Sequence, residues 1–259
     1  MLKTFADKIR RSFSDAADQY DILTSLHKEI GRELVKKVVK LNASNILDVG
    51  CGTGYVANKA KFFFPESRII GIDIAEGMIE KAKALHEGIP IEWVCADANI
   101  LPFENNAFDL VLSNLAYQWM DNLPRSFAEV VRTLNTEGVF NITLFGHRTC
   151  QELFASLKKV DPKINLRTLP SVKQVQEALI FAGFREATVD FELIKVQFKD
   201  VTDLLTWLKA IGANQLSDQQ IFLGKNKLQQ LQEYYSVHFP YHEGICASFE
   251  VIWVYAKKF

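Results

Sequence analysis

The chain has 259 residues, 48% of them hydrophobic and 24% charged, with a formal net charge of −1. That is an ordinary globular balance, long enough for one large domain with an insertion or for a domain plus a small cap. A charge so close to zero gives no whole-chain argument for nucleic acid or a membrane surface, and neither is expected as a partner.

The first forty residues read as helical. Phe5, Ile9 and Phe13 recur at i, i+4 and i+8 with Lys8, Arg10 and Arg11 between them. Ser14-Asp15 is expected to break this helix. A second one carries Leu23, Leu26, Ile30, Leu34 and Val38, and the polar Asn42-Ala-Ser-Asn45 ends it. These helices either cap a sheet edge or lie across the open end of a site as a lid.

From 46 to 145 strand and helix alternate, which argues a parallel sheet with helices on both faces. Strands are expected at Asn45–Val49, Arg68–Ile72, Ile91–Cys95, Phe108–Ser113 and Val139–Phe145. Helices are expected at Tyr55–Phe64, through Gly77–Leu85, and at Leu123–Leu134, with a turn at Asn135–Gly138. The rhythm then changes. Gln151–Val160 is a helix, Asp161–Leu169 a polar, basic link, and Ser171–Ala182 a helix with Ser171 as N-cap and Gly183 as its stop. Ala187–Phe198 and Cys246–Tyr255 read as strands. Between them lie two helices, Val201–Ile211 and Asn226–Tyr235, so residues 199–241 form a helical insertion.

The chemistry concentrates at Ile46-Leu-Asp-Val-Gly-Cys-Gly-Thr-Gly54. An apolar strand ends in an acid and then in Gly50, Gly52 and Gly54. Glycines here allow positive φ and close approach of a ligand to the backbone. The spacing is Gly-x-Gly-x-Gly, with Tyr55 following, and lacks the third glycine position of a dinucleotide fingerprint. Three acids stand at adjacent strand ends: Asp48, Asp73 and Asp97, the last followed by Ala98. Such a set repels a diphosphate and suits a cationic ligand with a ribose and an adenine, as in S-adenosylmethionine.

Other reactive residues carry less signal. Cys51, Cys95, Cys150 and Cys246 are widely spaced, with no Cys-x-x-Cys pair, and read as free thiols in a reducing compartment. His238 and His242 have helical spacing, but Pro240 stands between them and no third ligand is evident, so no metal is expected. Basic residues near Met1–Arg11 are followed by no apolar stretch, and no run approaches a membrane span; a cytoplasmic protein is expected.

Residues 46–54, 73, 97–98 and 108–145 together resemble the class I S-adenosylmethionine-dependent methyltransferases. Leu112-Ser-Asn-Leu-Ala-Tyr-Gln-Trp-Met-Asp-Asn-Leu-Pro124, Phe13-x6-Tyr20-Asp21, Thr143-Leu-Phe-Gly before Glu152-Leu153, and Leu208-Lys-Ala-Ile-Gly-Ala-Asn214 further resemble the malonyl-[acyl-carrier-protein] O-methyltransferases of biotin synthesis. His147-Arg148 and Tyr117 depart from that pattern and leave acyl specificity open.

The resemblance implies an α/β, Rossmann-like, seven-stranded sheet with its last strand antiparallel between two parallel neighbours. It also implies four segments: N-terminal cap helices (1–42), a cofactor-binding core (43–198), a helical insertion over the acceptor pocket (199–241) and the last strand (242–259). It assigns Asp73 to the ribose of S-adenosylmethionine, Asp97 and Ala98 to the adenine with Ile74 and Leu101 around it, and Asp48, Gly50, Gly52, Gly54 and Asn114 to the rest of the cofactor, which leaves as S-adenosylhomocysteine. The acceptor is a malonyl thioester on acyl carrier protein or coenzyme A, and a monomer is expected. Its carboxylate is already ionised and needs no base; Arg148 is expected to clamp it, with Tyr20 in the lid and Gln118, Trp119 and His147 lining the pocket. Lys158, Lys159, Lys163 and Arg167, or Lys8, Arg10 and Arg11, could dock an acidic carrier. Methylation of another small acceptor, such as a quinone-ring carbon, would require a base near the acceptor. A non-catalytic cofactor-binding subunit would need a partner chain.

Overall fold

The computed structural model describes residues 4–213 and 223–259; Asn214, the last residue of the Leu208–Asn214 motif, lies outside them. The elements in chain order are α1 (Phe5–Leu23), α2 (Ser25–Lys36), β1 (Asn45–Val49), α3 (Tyr55–Phe63), β2 (Arg68–Asp73), α4 (Glu76–Leu85), β3 (Ile91–Cys95) and β4 (Phe108–Asn114). A single 3-10 turn (Tyr117–Trp119) leads to α5 (Leu123–Thr133), β5 (Leu134–Phe145), α6 (Gln151–Val160), α7 (Val172–Ala182), β6 (Glu186–Phe198), α8 (Val201–Ala210), α9 (Lys225–His238), β7 (Pro240–Tyr241) and β8 (Gly244–Lys257).

The strands form one sheet in the order β3-β2-β1-β4-β5-β8-β6, with the two-residue β7 pairing to β8 off that path. The pairs from β3 through β5 are parallel, and β8 runs antiparallel to both β5 and β6. This is the expected Rossmann-like sheet with its antiparallel strand inserted between parallel neighbours. The order reverses beside β1, so the loops after β1 and β4 diverge and open a crevice at the strands' carboxyl ends.

Three apolar clusters hold the layers. Val35 of α2, Val38 in the turn just after it, and Val56 and Ala60 of α3 pack on one face with Ile46, Ile69 and Leu112. Phe127, Val130, Val175 and Leu179 from α5 and α7 cover the other with Leu47, Val111 and Phe140. A third cluster joins Leu153 and Leu157 of α6, Leu204 and Leu208 of α8, and Leu231 and Tyr235 of α9 to Phe249 and Val251 of β8. Among the described residues no helix is long and apolar enough to cross a membrane.

Two elements differ from the sequence expectation. Ser14-Asp15 does not break the first helix, which runs through both residues. A capping box between Thr4 and Asp7 starts it, and Ala16 and Ala17 bury its inner face beyond the polar pair. The Ser14 hydroxyl accepts from the Gly77 N–H at 3.4 Å, and a Cβ at Gly77 would come within 3.0 Å of the Ser14 carbonyl. Polar residues in a helix interior cost only tenths of a kcal/mol, roughly 0.5, and this close packing on α4 offsets that. The turn expected at Asn135–Gly138 is instead part of β5, with Glu137 at φ 64° and a register shift between Phe108 and Leu110 absorbing it.

Candidate active site

The four buried residues of β1 deliver the chain into a loop in which Gly50, Gly52 and Gly54 all have positive φ, at 68°, 53° and 88°. Glycine holds such angles without the steric cost that a Cβ brings. The three do different work. A Cβ on Gly50 would overlap that of Ala116, and one on Gly54 would overlap the Trp93 ring. A Cβ on Gly52 would clash with nothing, meeting only the Tyr20 ring at an ordinary contact distance of 3.9 Å. Gly50 and Gly52 line the cavities described next; Gly54, assigned to the cofactor by resemblance, lines neither, because it is packed beneath Trp93 and His86 at the start of α3.

Two connected spaces meet at this loop. One is lined by Tyr20, His27, Asp48, Gly50, Gly52 and Asn114. The other extends from Gly50 and Gly52 past Asp73, Ile74, Asp97 and Ala98 to Trp119. Asp73 lines the second space beside the shared Gly52: it accepts the Gly52 N–H at 2.9 Å and the Ala75 N–H at 2.8 Å. Burial holds its carboxyl above the ordinary value, against the draw of the N–H groups of Ala75, Gly52 and Ile74. Asp48 is 1% exposed and accepts the Ala57 N–H at 3.0 Å. Burial, with Asp73 adding to it, pushes Asp48 up to about 7. Asp97 accepts from both the backbone and the side chain of Asn99 at 2.9 Å. Carboxylates crowded in this way favour a cationic occupant. Met78, 1% exposed, joins Ile74 as apolar wall. Leu101, expected beside it, is 3% exposed within the α5–α7 core cluster and does not line the cavity.

The N-terminal helix closes the cavity from above. Ala6, Ile9, Phe13 and Tyr20 of α1 line it, and Phe13 meets Trp119 edge-on at 5.7 Å. Ser12 donates to the Gly212 carbonyl at 3.0 Å, tying the lid to the end of α8. Burial first, then the charges of Asp73 and Asp21, push the Tyr20 phenol above its ordinary value, so it stays a neutral donor.

Trp119 separates this cavity from an apolar pocket lined by Phe145, Cys150, Phe154, Trp207 and Phe249, with Gln118, Arg167 and Leu169 at its side. Among the described residues that line the pocket, Arg167 is the one charged group, and no Asp, Glu, His, Lys or Tyr is present. Arg167 is 18% exposed, donates to Asp121 at 3.1 Å, and lies 3.5 Å beneath the ring of Phe5.

The pocket corrects several expected roles. Arg148 lines neither space. Its backbone N–H donates at 3.1 Å to Glu250, a carboxylate on β8 that is 1% exposed; its guanidinium lies 3.9 Å from the same carboxylate and 5.7 Å from the Phe191 ring on the edge strand. His147 is likewise 3.2 Å from Glu250 and half-exposed. Gln118 lines the pocket, but its amide is used by the turn: it donates to the Leu115 carbonyl at 2.6 Å and accepts the Phe145 N–H at 3.3 Å. Asn114 donates to the His27 carbonyl at 2.9 Å and accepts from Thr143 at 2.8 Å, so it pins α2 to the sheet while lining both cofactor spaces.

Sequence reasoning misses His27, one scattered histidine among five. It is 9% exposed, its Nδ1 has no hydrogen-bond partner, and burial lowers it to about 4, so it is neutral. Its ring contacts Tyr20 at 6.0 Å on one side and Phe145 at 5.7 Å and Trp207 at 6.3 Å on the other. His238, by contrast, stacks on Tyr234 at 3.9 Å, and no group of three His, Cys, Asp or Glu among the described residues could hold a metal ion.

Residues 47–142 match the family model of a methyltransferase domain. Over 261 residues the chain is 33% identical to the malonyl-[acyl-carrier protein] O-methyltransferase of Gallionella capsiferriformans, covering 96% of this chain and 90% of that one. Over 249 residues it is 36% identical to the enzyme of the same name from Hahella chejuensis, covering 92% and 88%. The chain belongs to the malonyl-[acyl-carrier protein] O-methyltransferase family.

A member of this family is an S-adenosylmethionine-dependent methyltransferase, and the glycine loop with its acids fits that cofactor: an open cradle at Gly52, carboxylates around a cation, and a buried apolar wall. The fold is shared more widely. Haemonchus contortus phosphoethanolamine N-methyltransferase 2, solved with S-adenosylhomocysteine, is 19% identical with a TM-score of 0.65, covering 99% of this chain and 60% of that one.

Proposed function

We propose that the chain transfers the methyl group of S-adenosylmethionine to the free carboxylate of a malonyl thioester on acyl carrier protein, giving the methyl ester that primes pimeloyl synthesis for biotin. The observation that carries this reading is the acceptor pocket. It is apolar, it adjoins the cofactor space at Trp119, and its described walls hold one cation and no base. Methylation of a ring carbon or a neutral hydroxyl needs a proton acceptor in reach. A carboxylate, ionised at neutral pH, does not.

Bound in the crevice, S-adenosylmethionine supplies an electrophilic methyl group on a sulfonium, which leaves as a thioether when the carboxylate oxygen forms the new C–O bond. The protein's share is placement. Asp73 holds the ribose hydroxyls and Asp97 the adenine amino group, while the backbone of Gly50 and Gly52 accommodates the methionine portion. Arg167 takes the acceptor carboxylate through one oxygen and leaves the other to attack, which a planar fork of N–H donors permits. Trp119 and Phe13 close the junction against water, and alignment of nucleophile, methyl and sulfur then supplies most of the rate.

The test is incubation with labelled S-adenosylmethionine and malonyl-acyl carrier protein, followed by mass analysis of the acyl group. A malonyl methyl ester is the expected product; transfer to some other acceptor with none to malonyl would sink the reading. Restored growth without biotin in a strain lacking its own enzyme is the physiological counterpart.

A further inference from the structure

A groove of about 680 Å³ lies beside the site, between the start of α5, the link 161–170 and α7. Neither the cofactor nor a malonyl group accounts for it. It shares Met120 and Asp121 with the cofactor space, and Gln118, Arg167 and Leu169 with the acceptor pocket. The three spaces therefore meet at the Arg167–Asp121 ion pair. From there the groove runs outward to Phe181, which is 79% exposed on α7. Its lining mixes polar groups with apolar ones: the amides of Asn165 and Gln174 and the hydroxyl of Thr168 alternate with Leu169 and Phe181.

The acceptor pocket itself lies inside the molecule. Ser12 of α1 donates to the carbonyl of Gly212, between the lining residues Ile211 and Ala213, and the walls include the core residues Leu208, Ile211 and Phe249. An acyl group bound to a carrier protein cannot reach such a pocket unless the linking chain threads in after it.

We propose that this groove holds the 4′-phosphopantetheine arm by which the acyl group is attached to its carrier. The inference rests on the carrier-bound acceptor proposed above. The arm is an extended chain with two amides, a hydroxyl and a geminal dimethyl group, ending in the thioester sulfur. Amide and hydroxyl side chains suit its polar groups, and Leu169 and Phe181 suit its methyls. The thioester end arrives at Arg167, where the acyl carboxylate exchanges with Asp121, 64% exposed at its side chain, as the guanidinium's partner.

Thr168→Trp and Glu177→Trp fill the groove from exposed positions on opposite walls. Each is compared with the unaltered protein on malonyl-carrier protein and on malonyl-N-acetylcysteamine, which lacks most of the arm. Cofactor affinity, measured alongside, reports that the fold is intact. The expected result is a drop of about tenfold or more in kcat/KM on the carrier substrate with the short thioester unchanged. Equal loss on both, or no loss on either, overturns the proposal. Anisotropy of fluorescently labelled 4′-phosphopantetheine reads the groove without turnover: saturable binding that both variants abolish supports it, and binding unaffected by either overturns it. A protein that binds the labelled arm yet esterifies no malonyl thioester would fail the proposed function and keep the groove.

Discussion

The cofactor space draws its glycine loop and its carboxylates Asp48, Asp73 and Asp97 from the carboxyl ends of three neighbouring parallel strands, with Tyr20, His27 and Asn114 added from α1, α2 and β4. The acceptor pocket draws on positions as far apart as Gln118, Phe154, Arg167, Trp207 and Phe249. The first is shaped mainly by backbone: positive-φ glycines, strand ends, and carboxylates held by N–H groups. The second is shaped by side chains converging from a turn, a link, an inserted helix and the last strand. A change on the cofactor side should therefore act on binding of S-adenosylmethionine whatever the acceptor. A change on the acceptor side should act on turnover with cofactor affinity intact.

The sharpest test of the cofactor side is Asp73→Ala. Charge-assisted hydrogen bonds are each worth about 1.5–3 kcal/mol, so losing those to the ribose should weaken cofactor binding by roughly a hundredfold or more. Titration calorimetry reads this directly, and near-native affinity would mean that Asp73 only braces the loop. The acceptor side answers with Arg167→Ala, expected to cut kcat/KM on a malonyl thioester by roughly a hundredfold, as for a lost carboxylate partner, with cofactor affinity unchanged. Arg148→Ala should change neither quantity; a large loss there would return the clamp to the arginine just past β5.

Smaller effects come from pH. Asp48 rises to about 7 in the folded chain, above its ordinary value. Below that pH it is protonated and attracts a cation less, so S-adenosylmethionine should bind more weakly at about pH 6 than at about pH 8, either side of that value, and Asp48→Asn should flatten the difference. The sign for stability is opposite. A raised carboxyl contributes stability that is fully present below its unfolded value and lost as pH rises through about 7. Asp48→Asn should then raise the melting temperature of the cofactor-free protein at alkaline pH, as calorimetry would show.

His27 gives the smallest and most local effect. Its lowered value of about 4 means that the unfolded chain takes up a proton first as pH falls, so stability declines as pH drops from the ordinary histidine range towards 4. His27→Gln should remove that part of the acid sensitivity. If the variant and the unaltered protein lose melting temperature equally between pH 6.5 and pH 4, the ordinary and the lowered histidine values, another group is responsible.

The cofactor side was legible because local sequence sets it. Gly50-Cys-Gly-Thr-Gly54 and the acids at strand ends follow from turn geometry and parallel pairing, each within a few residues of the element that positions it. Even there Gly54 and Leu101 turned out to be packing residues, since which side of a loop faces a neighbouring ring is a tertiary matter. On the acceptor side Trp119 lines the junction of the two spaces and Arg148 lines neither. A basic residue just past β5 can turn either way, and the buried carboxylate of Glu250, some hundred residues later in the chain, engages both the backbone and the guanidinium of this one, away from the two spaces. Arg167 reads as one more solvated charge in a basic link until Phe5 and Asp121 enclose it.

The sequence by itself determined the parallel sheet, the glycine loop and the acids at adjacent strand ends, which rest on short-range periodicity and on backbone angles that few residues tolerate; the family rests on the resemblance of motifs spread along the chain. Only the tertiary structure decided that Arg167 and not Arg148 lines the apolar pocket beside Trp119, that His27 is buried and neutral between two spaces, and that a groove leads in from α7. Those outcomes depend on which distant side chains share a low-dielectric space, and no local pattern encodes that.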